Sequence, residues 1–159
     1  LVGKIDARPH AGGVIMSGFS CSLCQPSKNE ILWQDDFCRV VLLADQEYPA
    51  YCRVELLAHV KEMTDLAPQE RARTMKVVFA VETAIREVIA PDKINLASLG
   101  NKTPHMHWHV IPRFENDKHF PNSHWGEAVR DNPATPLSAP LTEKLKEAVV
   151  RLVNCALAS

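Results

Sequence analysis

The stretch from His105 to Arg113 constrains the fold of this chain more than any other. It reads His-Met-His-Trp-His-Val-Ile-Pro-Arg, with a histidine at every second position from 105 to 109. Side chains of a β-strand alternate between its two faces, so a strand here would carry all three histidines, Ile111 and Arg113 on one face. The other face carries only apolar side chains, which we expect to be buried: Met106, Trp108 and Val110. The alternative is a solvated edge strand that happens to be rich in histidine.

Length and composition predict one globular domain. A chain of 159 residues can bury a core, and 46% hydrophobic with 23% charged residues is typical of globular proteins. The net charge of −1 gives no electrostatic reason to expect nucleic acid or a membrane surface as partner. The apolar runs are far too short to cross a bilayer. Five cysteines, an odd number, without a secretion signal favour a reducing compartment, and we expect a cytoplasmic protein.

Residues 1–15 differ from the rest of the chain. They contain three glycines and no hydrophobic periodicity, and Met16 follows as a plausible natural start. We therefore expect 1–15 to be an added or disordered extension and 16–159 to be a single domain. His10 falls in the extension and is assigned no role.

Hydrophobic patterning predicts five strands and two principal helices. The predicted strands are Ile31 to Trp33, Phe37 to Leu43, Tyr51 to Leu57, Ile94 to Leu99 and about 104 to 112. The predicted helices are about 68 to 89 and Pro140 to Leu157, with a long ordered loop over 114–140 before the second helix. The order β-β-β-α-β-β-α indicates an α+β domain with a mainly antiparallel sheet.

Three imidazoles on one strand face are suited to nucleophilic or metal-binding chemistry near neutral pH. The stretch His105 to Ile111 resembles the His-φ-His-φ-His-φ-φ signature of the histidine triad (HIT) family, in which φ is apolar. Together with Pro112-Arg113 and the segment Asp117 to Pro121, it is similar to a bacterial branch that resembles dinucleoside polyphosphate hydrolases. The resemblance extends from about Cys21 to Trp125 and implies a HIT-like fold, usually as a homodimer.

The resemblance also implies the chemistry and the roles of the three histidines. Family members act as nucleotide hydrolases or nucleotidyl transferases at the α-phosphate of a nucleotide conjugate, such as a dinucleoside polyphosphate or a nucleoside phosphoramidate. By position, His107 would be the nucleophile that forms a covalent nucleotidyl-histidine intermediate. His109 would contact the phosphate or the leaving group. His105 would support His107 or bind a metal.

Further substrate-binding positions follow from the same resemblance. Asn95 matches the family's active-site asparagine, and its alternative role is that of a turn-capping residue. Gly100-Asn101 stands where Gly-Gln is common. Lys102 could add a charge contact to phosphate, although it reads equally well as a surface lysine. Asp45 could bind a ribose hydroxyl, or be an ordinary loop carboxylate.

The pair Cys21-x-x-Cys24 by itself fits a redox site, half of a zinc site or coincidence. The family resemblance suggests two further ligands, His59 and His105, and thus a structural Cys₂His₂ zinc site. In the alternative reading His59 is a polar residue at a strand end, and the sequence has Leu57-Ala58 where the family usually has Pro-Lys. No organic cofactor is expected.

Three aromatic or imidazole side chains in the long loop could stack on a base or close the site, and His119 has the stronger claim. The other two are His124 and Trp125. The main functional hypothesis is therefore a HIT-type nucleotide hydrolase or transferase. The alternatives are a nucleotide- or zinc-binding protein without significant turnover, in which the three triad histidines could share one zinc, and a homodimeric scaffold.

Overall fold

The computed structural model describes residues 21–45 and 47–159, so the expected extension, Met16 and His10 lie outside the described residues. The elements in chain order are β1 (Glu30–Gln34), β2 (Cys38–Leu42), β3 (Cys52–Leu56), α1 (Pro68–Ile89), β4 (Lys93–Ala97), β5 (His107–Arg113) and α2 (Ala139–Ala158). Short 3₁₀ turns cover Ser22–Cys24 and Met63–Asp65. The predicted α+β fold with five strands and two principal helices is confirmed.

The five strands form one antiparallel sheet in the order β1-β2-β3-β5-β4. The first three strands pair as successive hairpins of β-branched and apolar residues, with a short polar turn between β1 and β2 and the longer loop 43–51 between β2 and β3. The Asp35 carboxylate stabilises the first turn by accepting the Phe37 and Cys38 amides, each at 2.8 Å. This order places β5 inside the sheet, with a hydrogen-bonded neighbour on either side.

Both helices cover the same face of the sheet and leave the other to loops. Helix α1 begins at Pro68, where a missing amide costs no hydrogen bond, and ends at Ile89, because the next residue, Ala90, has a left-handed φ of 51° before Pro91. The core between helices and sheet is formed by aliphatic side chains of all layers, among them Val40, Val54, Val81, Ile85, Val110, Leu145 and Val149. None of the described helices combines the length and apolar character that crossing a bilayer requires.

Strand β5 divides its side chains between these two faces as the sequence predicts. Met106 and Val110 are buried in the core and Trp108 packs against it, whereas Ile111 belongs to a separate small cluster with Tyr48 and Tyr51 on the opposite face.

The strand itself begins at His107, later than the predicted start near 104. Pro104 has no amide hydrogen to donate. The Met106 amide donates to the Val60 carbonyl oxygen at 2.6 Å, and Val60 is not part of a strand. His105 therefore lies just before the strand rather than in it, which corrects the expectation that all three histidines share one strand face.

Candidate active site

His107 lies at the start of β5 and is held in one tautomer. Its Nδ1 is 2.6 Å from the backbone carbonyl of His105, and a carbonyl can only accept, so Nδ1 carries the proton. The lone pair of Nε2 is therefore free, which is the form that a nucleophile or a metal ligand needs. The side chain is only 6% exposed, and this burial lowers its pKa. His107 is thus held as neutral imidazole with a defined reactive nitrogen.

His109 is the next histidine on the same face, with its ring centroid 4.8 Å from that of His107. The hydroxyl of buried Tyr51 lies 2.7 Å from Nδ1 of His109. Donation from Tyr51 gives the buried phenol proton an acceptor, whereas the reverse would leave that proton unpaired among the described residues. His109 then carries its own proton on Nε2. Burial, followed by the neighbouring His107 and Arg53, lowers the pKa of His109 to about 4, so it is neutral at physiological pH.

His105 faces away from this pair and toward the cysteines. Its Nε2 donates to the Leu56 carbonyl at 2.7 Å, which leaves Nδ1 as the unprotonated nitrogen. That Nδ1 lies 3.4 Å from the Cys21 sulfur and 3.5 Å from the Cys24 sulfur. A histidine that binds a metal through one ring nitrogen is usually oriented by a hydrogen bond from its other ring nitrogen to a carbonyl oxygen.

Cys21, Cys24, His59 and His105 together form a candidate metal centre. Their ligand atoms all lie within 4.8 Å of one another, and Nδ1 of His59 is 3.3 Å from the Cys24 sulfur. Zinc–sulfur and zinc–nitrogen bonds of about 2.3 and 2.0 Å in a tetrahedron place sulfur and nitrogen about 3.5 Å apart. The observed separations therefore fit a four-coordinate zinc site that uses neither His107 nor His109.

A buried ion trio borders the histidines on the β3 side. Glu55 lies opposite His107 and Arg53 opposite His109 in the β3–β5 register. The Glu55 carboxylate is fully buried and accepts from Nε of Arg39 at 2.7 Å and from Nε of Arg53 at 2.6 Å. The positive charge of Arg53 adds to burial in lowering the pKa of both His107 and His109.

The β4 side of the site is built from Asn95 and the loop that follows β5. Asn95 lies opposite Ile111 on the site face, and its amide oxygen accepts from Arg113 at 2.8 Å. The Arg113 guanidinium also makes a two-pronged ion pair with buried Asp117, at 2.7 and 3.0 Å. The predicted Asn95 is therefore at the site, and its position depends on the loop.

Trp125, rather than His119, is the loop side chain that reaches the histidine pair, and His124 packs against it. The Trp125 ring lies 5.9 Å from His109, packs against His124 at 3.8 Å and remains 53% exposed. His119 is buried and is hydrogen-bonded to the Tyr48 hydroxyl at 2.5 Å. The preference for His119 as the stacking residue is therefore not supported, because its ring is enclosed in the base of the loop.

The structure places the other predicted substrate residues in loops, with Gly100, Asn101 and Lys102 after β4 and Asp45 after β2. Gly100 has a φ of 153°, a conformation that favours glycine, and lines a cavity of about 310 Å³ together with exposed Asn101. Lys102 is also exposed, and none of the described hydrogen bonds links Asn101 or Lys102 to the histidines. One oxygen of Asp45 accepts the amides of Glu47 and Tyr48 at 2.8 and 3.1 Å, which is the role of a loop-capping carboxylate.

Sequence comparison assigns the family. The sequence model of the HIT domain matches residues 25–116, more than half of the chain. The chain therefore belongs to the histidine triad family, whose members bind nucleotides and include nucleotide hydrolases and transferases. No curated protein sequence matches the chain significantly.

Solved structures of histidine triad proteins share the fold. The protein from Marinobacter aquaeolei is 24% identical, with a TM-score of 0.63 over 80% of this chain and 90% of the other. The one from Bradyrhizobium japonicum is 24% identical, with a TM-score of 0.64 over 79% and 90%. A zinc-bound histidine triad family protein from Mycobacterium smegmatis is 22% identical, with a TM-score of 0.60 over 86% and 97%.

Four site residues were missed in the sequence. Arg53 and Glu55 alternate with buried Cys52, Val54 and Leu56, so polar residues at every second position of a predicted strand were the available signal. Arg39 is the one charged residue among the apolar residues of β2, which is a weaker signal of the same kind. Tyr51 had no signal in the sequence, because its contact with His109 spans 58 positions.

Proposed function

We propose that this protein is a nucleotide hydrolase or nucleotidyl transferase that acts on the α-phosphate of a nucleotide conjugate. The observation that carries the proposal is the tautomer of His107, whose Nδ1 is committed to the His105 carbonyl and whose Nε2 is left unprotonated. A dinucleoside polyphosphate or a nucleoside phosphoramidate fits this chemistry, and Asn95 together with Gly100, Asn101, Lys102 and Asp45 would contact it.

In the first step, Nε2 of His107 attacks the α-phosphorus. A nitrogen–phosphorus bond forms, and the bond to the leaving group breaks with its electron pair going to the departing atom. In the second step, water attacks the same phosphorus, the electron pair returns to Nε2, and the proton of the water passes to solvent. A different acceptor in place of water would make the reaction a transfer. His109, with its proton on Nε2, would donate a hydrogen bond to a phosphate oxygen.

We further propose that Cys21, Cys24, His59 and His105 hold one structural zinc. Zinc would supply no chemistry in the reaction, since a closed tetrad of protein ligands leaves no open coordination position. The residues of the tetrad instead fix the turn at Ser22–Cys24 and the approach to β5. The His105 carbonyl that orients His107 belongs to one of these ligands.

The test is mass spectrometry of intact protein after brief incubation with a dinucleoside polyphosphate or a nucleoside phosphoramidate. We expect an adduct of one nucleoside monophosphate on His107, and no adduct and no turnover with His107→Ala. Because His107 is not part of the apolar core, the variant should keep the circular dichroism spectrum and thermal midpoint of the wild type within a few degrees. Ready hydrolysis by folded His107→Ala protein would contradict the assignment of the nucleophile.

The same experiment separates this proposal from a binding protein without turnover. Such a protein would retain nucleotide without an adduct, and a zinc bound by all three triad histidines would leave no free nucleophile. The arrangement of His105 with both cysteines supports the enzymatic proposal instead.

The family membership and the cysteines also lead us to propose a cytoplasmic homodimer. None of the five cysteines forms a disulfide, in keeping with a reducing compartment.

A further inference from the structure

A polar cavity of about 430 Å³ lies on the site face beside the ion trio of Arg39, Glu55 and Arg53. The trio lines one side, and the segment that follows the Cys21–Cys24 turn lines the other with Gln25, Ser27 and Lys28. The cavity therefore joins the proposed zinc-bearing turn to the central strands of the sheet.

The charge of the cavity is positive. Glu55 is the one acidic residue among its described lining residues, and its carboxylate is completely enclosed by the two arginines. Arg39 is held by further bonds to the Leu23 and Gln25 carbonyls, whereas the Arg53 side chain keeps 20% of its surface exposed. With exposed Lys28, the lining carries three cationic groups against one carboxylate. Replacing buried ion pairs by well-packed apolar residues often leaves the free energy of unfolding unchanged or higher. The stability of the fold alone therefore does not explain this trio.

The cavity lies next to the reacting centre. Glu55 and Arg53 face His107 and His109 directly across the β3–β5 pair, and such opposed side chains have Cβ atoms about 5 Å apart. On the far side of β5 lies a second cavity of about 550 Å³, lined by Asn95, Arg113 and Trp125 among others. A phosphorus bonded to His107 would thus lie between two pockets, one cationic and one with an exposed indole.

We propose that the cavity lined by Arg53 and Lys28 binds the phosphate chain of an anionic leaving group, so that the substrate is a nucleoside polyphosphate conjugate rather than a phosphoramidate of a neutral amine. This inference rests on the proposed function. As the His107–phosphorus bond forms, the bond from the α-phosphorus to the bridging oxygen breaks, and the departing phosphate keeps the electron pair. It needs no proton, whereas an amine does, and neutral His109 is a poor acid.

The test compares two substrates, diadenosine tetraphosphate and adenosine 5′-phosphoramidate, across three proteins. Lys28→Glu reverses one exposed charge at the cavity, and Lys144→Glu makes the same change on helix α2, which packs on the opposite face of the sheet. We expect Lys28→Glu to lower the ratio of kcat/KM for the tetraphosphate to that for the phosphoramidate about tenfold, by loss of attraction in partly screened solvent. Lys144→Glu should leave the ratio at the wild-type value.

A binding measurement tests the cavity independently of catalysis. Calorimetric titration with inorganic tripolyphosphate should give binding that weakens about tenfold in Lys28→Glu and further at high salt. Failure of tripolyphosphate to bind, or an equal effect of both lysine variants, would overturn the inference. If binding responds to Lys28 but no adduct forms on His107, the proposed function fails while the anion site stands. If adducts form but the substrate ratio does not change, only the anion site fails.

Discussion

At the scale of single residues, the three histidines of the triad differ in what their second ring nitrogen contacts. His107 donates to a backbone carbonyl, His109 accepts from a tyrosine, and His105 donates to Leu56. Each bond selects one tautomer and therefore determines which nitrogen has a free lone pair. Identical side chains in a repeating pattern are in this way given different chemistry by their partners.

The role of Tyr51 leads to a prediction about His109. Tyr51→Phe removes the hydroxyl and lets His109 populate both neutral tautomers, so the Nε2 proton is present only part of the time. We expect kcat to fall about five- to tenfold, the value of one lost hydrogen bond, with a smaller change in KM. The ¹⁵N shifts of the His109 ring should move toward a tautomer mixture.

Tyr48→Phe is the matched control for this prediction, because its hydroxyl bonds to His119 rather than to a triad histidine. It should leave the ¹⁵N shifts of His109 unchanged. Equal effects of the two substitutions on those shifts would show that Tyr51 acts only through packing.

At the scale of elements, the Ser22–Cys24 turn and the start of β5 depend on one another. The cysteines at this turn contribute two sulfurs to the candidate metal centre, and Arg39 of β2 donates to the carbonyl of Leu23 in the turn and to that of Gln25 just after it. These contacts meet immediately before His107. We infer that a metal bound at this candidate centre would stabilise the entry to β5 rather than a remote part of the fold.

A metal prediction follows from this arrangement. Wild-type protein purified with zinc should contain about one zinc per chain, and Cys24→Ser should weaken zinc affinity by more than the roughly 100-fold cost of an outer-shell change, because it removes a direct ligand. His107→Ala should retain zinc fully. Metal analysis by mass spectrometry and chelator competition would measure both.

Cys155→Ser is the control for the metal prediction, since Cys155 is an exposed thiol on α2 far along the chain from the cluster. Zinc that is lost from His107→Ala but kept by Cys24→Ser would contradict the tetrad and favour a site made of the triad histidines.

At the scale of the whole molecule, the loop from β5 to α2 completes the site. Arg113 ties the loop to the sheet through Asp117, Asn95 and the Asn122 carbonyl. Asp117 also accepts the amides of His119 and Phe120 at 2.9 and 2.7 Å. The buried Arg113–Asp117 ion pair thus orders the loop segment that places Trp125 next to His109.

Loss of this ion pair should be costly and dependent on pH. Asp117→Asn leaves the buried Arg113 charge unpaired, and we expect about 3 kcal/mol lower free energy of unfolding at pH 7. The ion pair and backbone amides lower the pKa of Asp117 despite its burial. Its stabilisation is therefore present above the unfolded-state pKa of about 3.9 and is lost as the pH falls below it.

Urea denaturation from pH 7 down to pH 3 measures this prediction. The difference in unfolding free energy between wild type and Asp117→Asn should shrink as the pH falls. Asp131→Asn, an exposed change in the same loop, should give no such difference. A difference that does not vary with pH would show that the cost of Asp117→Asn is steric rather than electrostatic.

The sequence by itself determined the elements and the apolar face of the histidine strand. Apolar periodicity is local, so α1, α2 and the buried side of β5 were predictable to within a few residues. The family signature, which lies in one stretch of the chain, likewise singled out His107 as the candidate nucleophile. The wider resemblance to the family, rather than any local pattern, suggested Cys21, Cys24, His59 and His105 as candidate metal ligands.

Only the tertiary structure decided the different positions, tautomers and partners of the three histidines. His105 lies before the strand because the Met106 amide donates to the carbonyl of Val60, which is distant in the sequence. Tyr51 selects the tautomer of His109, and the Arg39–Glu55–Arg53 trio places charge beside both reactive rings. Strand pairing brings these groups together, and the direction of a hydrogen bond across the sheet cannot be read from the spacing of residues along it.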